Sequence, residues 1–303
     1  MMFDLVVDKV VQKGRKISLK KSLLTFVQLR KGVYNEIVNH KQLEGIRWKR
    51  FPGINKYLKG FRPGELTVLT GPTGCGKTTF LSEYSLDLCL QGVPTLWGNF
   101  EIQNTRLCKA MMNQLAQKQL SANLQEFDHW ADKFTELPMY FMNYHGAEAF
   151  ENVLATMKEA VTNHQVKHVI IDNLQFMMGT RNKKYFHLDR YEYQDHVIGS
   201  CRSFATEKEC HITLVIHPRK EDSGELTLNS IFGGAKASQE ADNILIFQVE
   251  WKGNTRQRKY LQISKNRYDG DLGSITLKFN KETQGFGTSS SKSNQVTDDI
   301  LID

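Results

Sequence analysis

Gly71-Pro72-Thr73-Gly74-Cys75-Gly76-Lys77-Thr78 is the stretch on which the fold turns. It fits G-x-x-x-x-G-K-[ST] in full. The apolar run Glu65-Leu-Thr-Val-Leu-Thr70 before it reads as a buried strand, and the pattern after it predicts a helix from about Lys77 to Leu90. Strand, glycine-rich turn and helix in that order is the context the motif requires. Glycine lets backbone N–H groups curl around phosphate oxygens, and the helix N-terminus adds free N–H groups aimed at the anion. Gly71, Pro72, Thr73, Gly74, Cys75, Gly76, Lys77, Thr78 and Thr79 are therefore read as the nucleotide-binding segment. Lys77 would neutralise the β- and γ-phosphates of ATP or another nucleoside triphosphate, and the Thr78 hydroxyl would ligate magnesium.

Working outward, strands and helices alternate. A strand at Pro94 to Phe100 precedes helical patterns at about Thr105 to Gln119 and Glu126 to Glu136. A short strand at Met139 to Met142, a helix near Glu148 to Asn163 and the strand His168-Val-Ile-Ile-Asp172 follow. A helix near Tyr191 to Lys208 then feeds His211-Ile-Thr-Leu-Val-Ile-His217. This order predicts an α/β fold with a mainly parallel central sheet and helices on both faces. From Asn243 the pattern changes to strands at Ile244 to Glu250, Arg258 to Ser264 and Ser274 to Phe279, expected to form antiparallel pairs at one edge.

Polar residues at strand ends carry the candidate chemistry. Asp172 ends the run Val169-Ile-Ile, where a carboxylate would emerge beside the phosphate loop as a second magnesium anchor. Glu101, one strand over, is the best-placed carboxylate to orient and deprotonate an attacking water. His217 ends Thr213-Leu-Val-Ile and is placed to sense a γ-phosphate. Rival readings are an Asp capping the next turn, a Glu capping the helix at Asn104, and a structural histidine.

The 303 residues, 40% hydrophobic and 24% charged, suit a packed protein of one large domain with a small appendage. No apolar run approaches the roughly 20 residues of a membrane-spanning helix, which excludes a membrane-spanning reading. The +7 balance suits a polyanionic partner, and five scattered cysteines argue against a disulfide framework or a structural zinc. Residues 1–45 form a basic arm and a short amphipathic helix near Thr25 to His40; 46–286 form the nucleotide-binding domain; 287–303 read as a disordered polar tail. The arm suits either a targeting peptide, against which Asp4 and Asp8 count, or a solvated leader.

The series Gly71 to Thr78, Phe100-Glu101, Val169 to Asn173, Leu214 to His217, Ala237 to Asp242 and Ser264 to Gly270 resembles the hexameric replicative helicases of the DnaB type. Phe51 to Gly60, Phe127 to Asp132 and Ile170 to Gly179 look like the family's mitochondrial member. The resemblance, from about Arg47 to Phe286, implies a RecA-like P-loop core that assembles as a hexameric or heptameric ring around single-stranded DNA, with ATP and Mg2+ at subunit interfaces. It implies Glu101 as catalytic base, Asp172 as the second-motif carboxylate and His217 as γ-phosphate sensor. Gln239 would couple that sensor to DNA, Arg267 with Lys265 would reach a neighbour's ATP, and Phe279 would lie against adenine. Arg181, Lys183, Lys184, Arg219, Lys220 and Lys236 are the candidate DNA contacts. The implied activity is 5′-to-3′ unwinding of forked DNA in the mitochondrial matrix, beside a replication polymerase and a single-strand binding protein. The alternatives are a nucleotide-regulated single-strand binding or annealing subunit and a RecA-type recombinase. Longer family members carry an N-terminal primase-like region, for which 303 residues leave no room.

Overall fold

A computed structural model describes residues 23–39, 44–180, 185–219, 225–232, 234–252 and 255–287. The chain divides into two compact units between Leu43 and Glu44. The first holds α1 (Phe26–Val38), the amphipathic helix expected near Thr25 to His40. The Thr25 backbone N–H donates to Gln28 Oε1 at 2.8 Å, closing one of the donors that a helix start leaves unpaired. The basic arm and the polar tail lie outside the described residues.

In the second unit the strands are β1 (Leu66–Thr70), β2 (Thr95–Asn99), β3 (Met139–Phe141), β4 (His168–Asp172), β5 (His211–Val215), β6 (Asn243–Lys252), β7 (Thr255–Asn266) and β8 (Gly273–Thr276). They form one eight-stranded sheet in the order β3-β2-β4-β5-β1-β6-β7-β8. Its helices are α2 (Pro52–Leu58), α3 (Lys77–Cys89), α4 (Asn104–Ala116), α5 (Phe127–Thr135), α6 (Phe150–His164), α7 (Arg190–Lys208) and α8 (Gly234–Glu240). The period-two alternation of strand side chains builds two cores. Leu66, Val68, Val169, Ile171, Ile212 and Leu214 pack with Val153 and Met157 of α6 and Val197 and Cys201 of α7. Leu69, Ile170, Val215 and Leu245 pack on the other face with Phe80 and Tyr84 of α3 and Leu107 and Met111 of α4.

The antiparallel pairs expected at the edge form between β6 and β7 and between β7 and β8. In addition, β6 runs parallel to β1, with Thr67 opposite Asn243. The reason is the connection: the chain leaves the C-terminal end of β5, crosses through α8 and re-enters the sheet in the same direction. The last strand ends at Thr276 rather than Phe279; Leu277 N still donates to Lys259 O at 2.9 Å before the chain turns away. The seven-residue helices α2 and α8 were not foreseen, since two turns are too short for a helical period to register.

Asp242 ties this architecture at the start of β6. Its carboxylate accepts the Leu66 backbone N–H at 2.8 Å and pairs with Arg202 of α7 and, at 3.1 Å, with Arg267 after β7. Asp242→Ala should cost about 2–4 kcal/mol, because it strands a buried N–H and two guanidinium groups. Urea unfolding measures this; a loss under about 0.5 kcal/mol, the range of an ordinary surface change, would show that the knot is dispensable.

Candidate functional site

Because β1, β2, β4 and β5 are parallel, their C-terminal ends meet at one edge of the sheet, and the phosphate-binding loop turns there. Glycine is required at two places by contact. A Cβ on Gly71 would lie 2.6 Å from Phe247 Cβ; one on Gly76, which has φ +108° at the start of α3, would lie 3.0 Å from the Phe286 ring. Lys77 is buried, and its ammonium donates to Gly71 O at 2.8 Å and Pro72 O at 3.0 Å, so it lies across the mouth of its own loop. Burial pushes the Cys75 thiol up, which keeps it protonated and inert.

The Thr78 hydroxyl donates to Asp172 Oδ2 at 2.6 Å. Burial pushes the Asp172 carboxyl up to about 6, the Thr78 bond opposes this, and nearby Glu101 adds to the rise. Next to Asp172, Asn173 donates from Nδ2 to Glu101 Oε2 at 3.2 Å and meets His217 Nε2 at 2.9 Å. Gln175 Oε1 accepts the His217 backbone N–H at 3.3 Å. Burial, and then the charge of Lys77, hold the His217 imidazole below its ordinary value. Glu101 itself is exposed, at the rim of a cleft lined by Gln103, Arg106 and His145. Lys77, Thr78, Glu101, Asp172 and His217 thus share one edge. Thr78 and Asp172 supply hard oxygen donors that suit Mg2+, which commonly takes one or two protein ligands together with substrate phosphates.

Other expected residues stand elsewhere. Asn266 pairs with Asn243, which pairs with Thr67, so Arg267 lies at the N-terminal end of β1, the opposite end from the phosphate loop. The separation is the length of β1, five residues at about 3.3 Å each. There Arg267 Nη2 donates to Gln239 O at 2.7 Å, and Lys265 Nζ to Ser238 O at 2.6 Å, so Gln239, Lys265 and Arg267 form a cluster of their own. Phe279 is 44% exposed and edge-on to Phe286, ring centres 5.4 Å apart. Of the DNA candidates, Arg219 is exposed after β5, whereas Lys236 pairs with Glu240 at 2.8 Å and lies over Gly199 of α7. Arg181, Lys183, Lys184 and Lys220 lie outside the described residues.

Sequence reading missed the support beneath the loop. Glu83 on α3 is 1% exposed; it accepts the Phe286 and Gly287 N–H groups at 2.6 and 2.9 Å and pairs with Arg50 at 3.3 Å. This latch draws the C-terminal segment under the loop, seating Phe286 against Gly76 and Phe247. Lys259 Nζ, 5.5 Å from the Phe286 ring centre, donates to Cys75 O at 2.6 Å. A signal was present: Glu83 and Asp87, four apart, sit among Phe80, Leu81, Leu86 and Leu88 on a helix with few exposed positions.

A family model described as AAA domain matches residues 36–223, a span that includes the phosphate loop, Glu101, Asp172 and His217 and stops short of Gln239, Lys265 and Arg267. A DNA helicase/primase of Enterobacteria phage T3 is 19% identical over 278 residues, covering 82% of this chain and 46% of the relative. The chain therefore spans less than half the length of that relative. Among solved structures, one described as an ATPase domain matches with a TM-score of 0.72 at 15% identity, covering 86% of this chain and 98% of that one. A DnaB-like replicative helicase, described with its interactions with primase, matches with a TM-score of 0.72 at 13% identity, covering 87% and 67%. These likenesses establish the RecA-like ATPase fold, mostly parallel with antiparallel edge strands. Among the described residues no helix is long and apolar enough to cross a membrane.

Asp172 offers a test of the site's electrostatics. A carboxyl raised from 3.8 to about 6 binds its proton more tightly folded than unfolded, so its contribution to stability is fullest below about pH 4 and is lost as the pH rises through 6. In magnesium-free buffer, Asp172→Asn should therefore be more stable than the parent at pH 7, by up to about 3 kcal/mol. The gap should close as the pH falls toward 4. Denaturation midpoints at both pH values decide it, and a gap unchanged with pH would refute the assignment.

Proposed function

The chain belongs to the AAA domain family, and from that premise we propose that it is an ATP-driven DNA helicase of the DnaB type, a ring of six or seven copies moving 5′ to 3′ on single-stranded DNA. The observation that carries this reading is the division of the catalytic set. Lys77, Thr78, Asp172, Glu101 and His217 share one end of the sheet, while Arg267, Lys265 and Gln239 stand at the other, the length of β1 away. A guanidinium there completes a phosphate site only on a second copy, which makes assembly the condition for turnover.

In this mechanism the loop N–H groups and Lys77 hold the triphosphate, and Lys77 exchanges its bonds to Gly71 O and Pro72 O for phosphate oxygens. Thr78 and Asp172 would hold the magnesium ion, which would supply charge neutralisation to the phosphates. Glu101 takes the proton of the attacking water at its carboxylate, and His217 meets the γ-phosphate. Arg267 stabilises the neighbour's transition state, a contribution typically worth 10³ to 10⁵ in rate. DNA is gripped through phosphates by the exposed Arg219 and by basic loop residues, without base readout. The helix α1 packs on the adjacent subunit.

The DNA helicase/primase of phage T3 and the DnaB-like structure described with primase support the class. A mitochondrial setting, with a replication polymerase and a single-strand binding protein as partners, follows from the likeness of Phe51 to Gly60, Phe127 to Asp132 and Ile170 to Gly179 to Twinkle, the mitochondrial replicative helicase.

The direct test is unwinding of a forked duplex by protein whose mass in magnesium and a non-hydrolysable ATP analogue is measured by light scattering. A mass of six or seven chains with ATP-dependent unwinding, lost in Lys77→Ala, is expected. Strand pairing that persists in Lys77→Ala without unwinding would point instead to an annealing subunit, and filaments in place of rings to a recombinase. Arg267→Ala should cut turnover by about 10³-fold or more while nucleotide affinity stays within about threefold. Parallel loss of both would refute the role in trans and leave Arg267 only its bonds to Asp242 and Gln239 in its own chain. Single-strand affinity should fall steeply with salt.

A further inference from the structure

One buried amide joins two of the catalytic residues. Asn173 is 1% exposed and sits between Glu101, His217 and the start of a short 3-10 turn, Leu174–Met177. Its orientation is set by the turn. Oδ1 accepts the Gln175 backbone N–H at 3.1 Å, and the flipped amide would face one N–H with another. Nδ2 therefore points into the site with two hydrogens and two partners, Glu101 Oε2 at 3.2 Å and His217 Nε2 at 2.9 Å.

The histidine's proton then has one place to go. A nitrogen that accepts from an amide N–H carries no hydrogen of its own, so a neutral His217 holds its proton on Nδ1. His217 Nδ1 is buried and has no hydrogen-bond partner among the described residues. Gln175 Oε1 accepts the backbone N–H of the same histidine, which fixes its main chain, while the ring is held at Nε2. The result is a directed N–H donor without an acceptor among the described residues, at the edge where Lys77 and Asp172 stand. Its complement is an anionic oxygen, and a phosphoryl oxygen of the nucleotide fits that chemistry.

We propose that Asn173 is a positioning residue: it sets the Nδ1–H tautomer of His217 and, through the second hydrogen of the same amide, couples His217 to Glu101. Both hydrogens sit on one planar nitrogen. When His217 turns toward a phosphoryl oxygen, the amide plane follows and the bond to Glu101 lengthens or realigns. Phosphate occupancy is thereby communicated to the group that activates water. This inference rests on the roles proposed above for Glu101 and His217.

The test reads the tautomer directly. In nucleotide-free full-length protein labelled with ¹⁵N-histidine, at about pH 8 where the imidazole is neutral, the His217 signals are identified by their loss in His217→Asn. Protonated Nδ1 and unprotonated Nε2 are expected; a protonated Nε2 in the parent protein would overturn the proposal. Asn173→Asp keeps the oxygen that caps the turn but offers His217 only an acceptor, so Nε2 should become protonated. Turnover should then fall by roughly 10²-fold, the scale of losing one aligned donor at a transition state, with KM for ATP within about threefold. An unchanged tautomer in Asn173→Asp, or a raised KM with unchanged kcat, would refute the coupling. If Asn173→Asp does not fold, the parent tautomer still decides. Failure of the parent to unwind DNA would overturn the helicase reading alone, because the tautomer is read without DNA or nucleotide.

Discussion

The parallel pairing of β1 between β5 and β6 is the constraint on which the rest depends. It directs the ends of β1, β4 and β5 to the same edge, with β2 joining through β4, so residues as distant in sequence as Thr78 and Asp172 come to lie 2.6 Å apart. It also sends the antiparallel hairpin of β6 and β7 back to the opposite edge. Arg267 is thereby removed from the phosphate loop of its own chain. One hydrogen-bonding pattern thus gathers Lys77, Thr78, Glu101, Asp172 and His217 at one edge and sets Gln239, Lys265 and Arg267 at the other.

At the gathered edge an acidic and a basic group are each held by neutral partners. Asp172 is buried near Glu101, which drives its carboxyl toward protonation, while the Lys77 ammonium rests on carbonyl oxygens rather than on a carboxylate. An anion relieves the second condition and a cation the first, so a metal–phosphate ligand suits both at once. Such a site sacrifices stability for binding, as buried functional carboxylates commonly do. Its mechanical support is apolar and lies behind it: the Phe80, Phe247 and Phe286 rings pack in sequence under the loop, and the Glu83 carboxylate fastens the last of them.

Much of this was legible before any coordinates. The motif placed Lys77 and Thr78 at a helix start, and the polar residue closing each buried run placed Glu101, Asp172 and His217 at strand ends, since period-two and period-3.6 patterns are properties of local sequence. Less legible were α2 and α8, each seven residues long, and the direction of β6, which depends on where the preceding crossover deposits the chain. Asn173 was read as part of a motif and given no role, because its partners are 72 and 44 residues away.

The sequence by itself determined that this chain builds a phosphate-binding loop between a buried strand and a helix, within an alternating α/β fold. Those features follow from glycine, Lys-Thr and apolar spacing inside short windows. Only the tertiary structure decided that one Asn173 nitrogen serves both Glu101 and His217, that Glu83 latches the segment at Phe286, and that Arg267 stands at the far end of β1. Each of those depends on strand order and register, which are set by the whole sheet closing its hydrogen bonds and burying both faces together, and no local window contains that information.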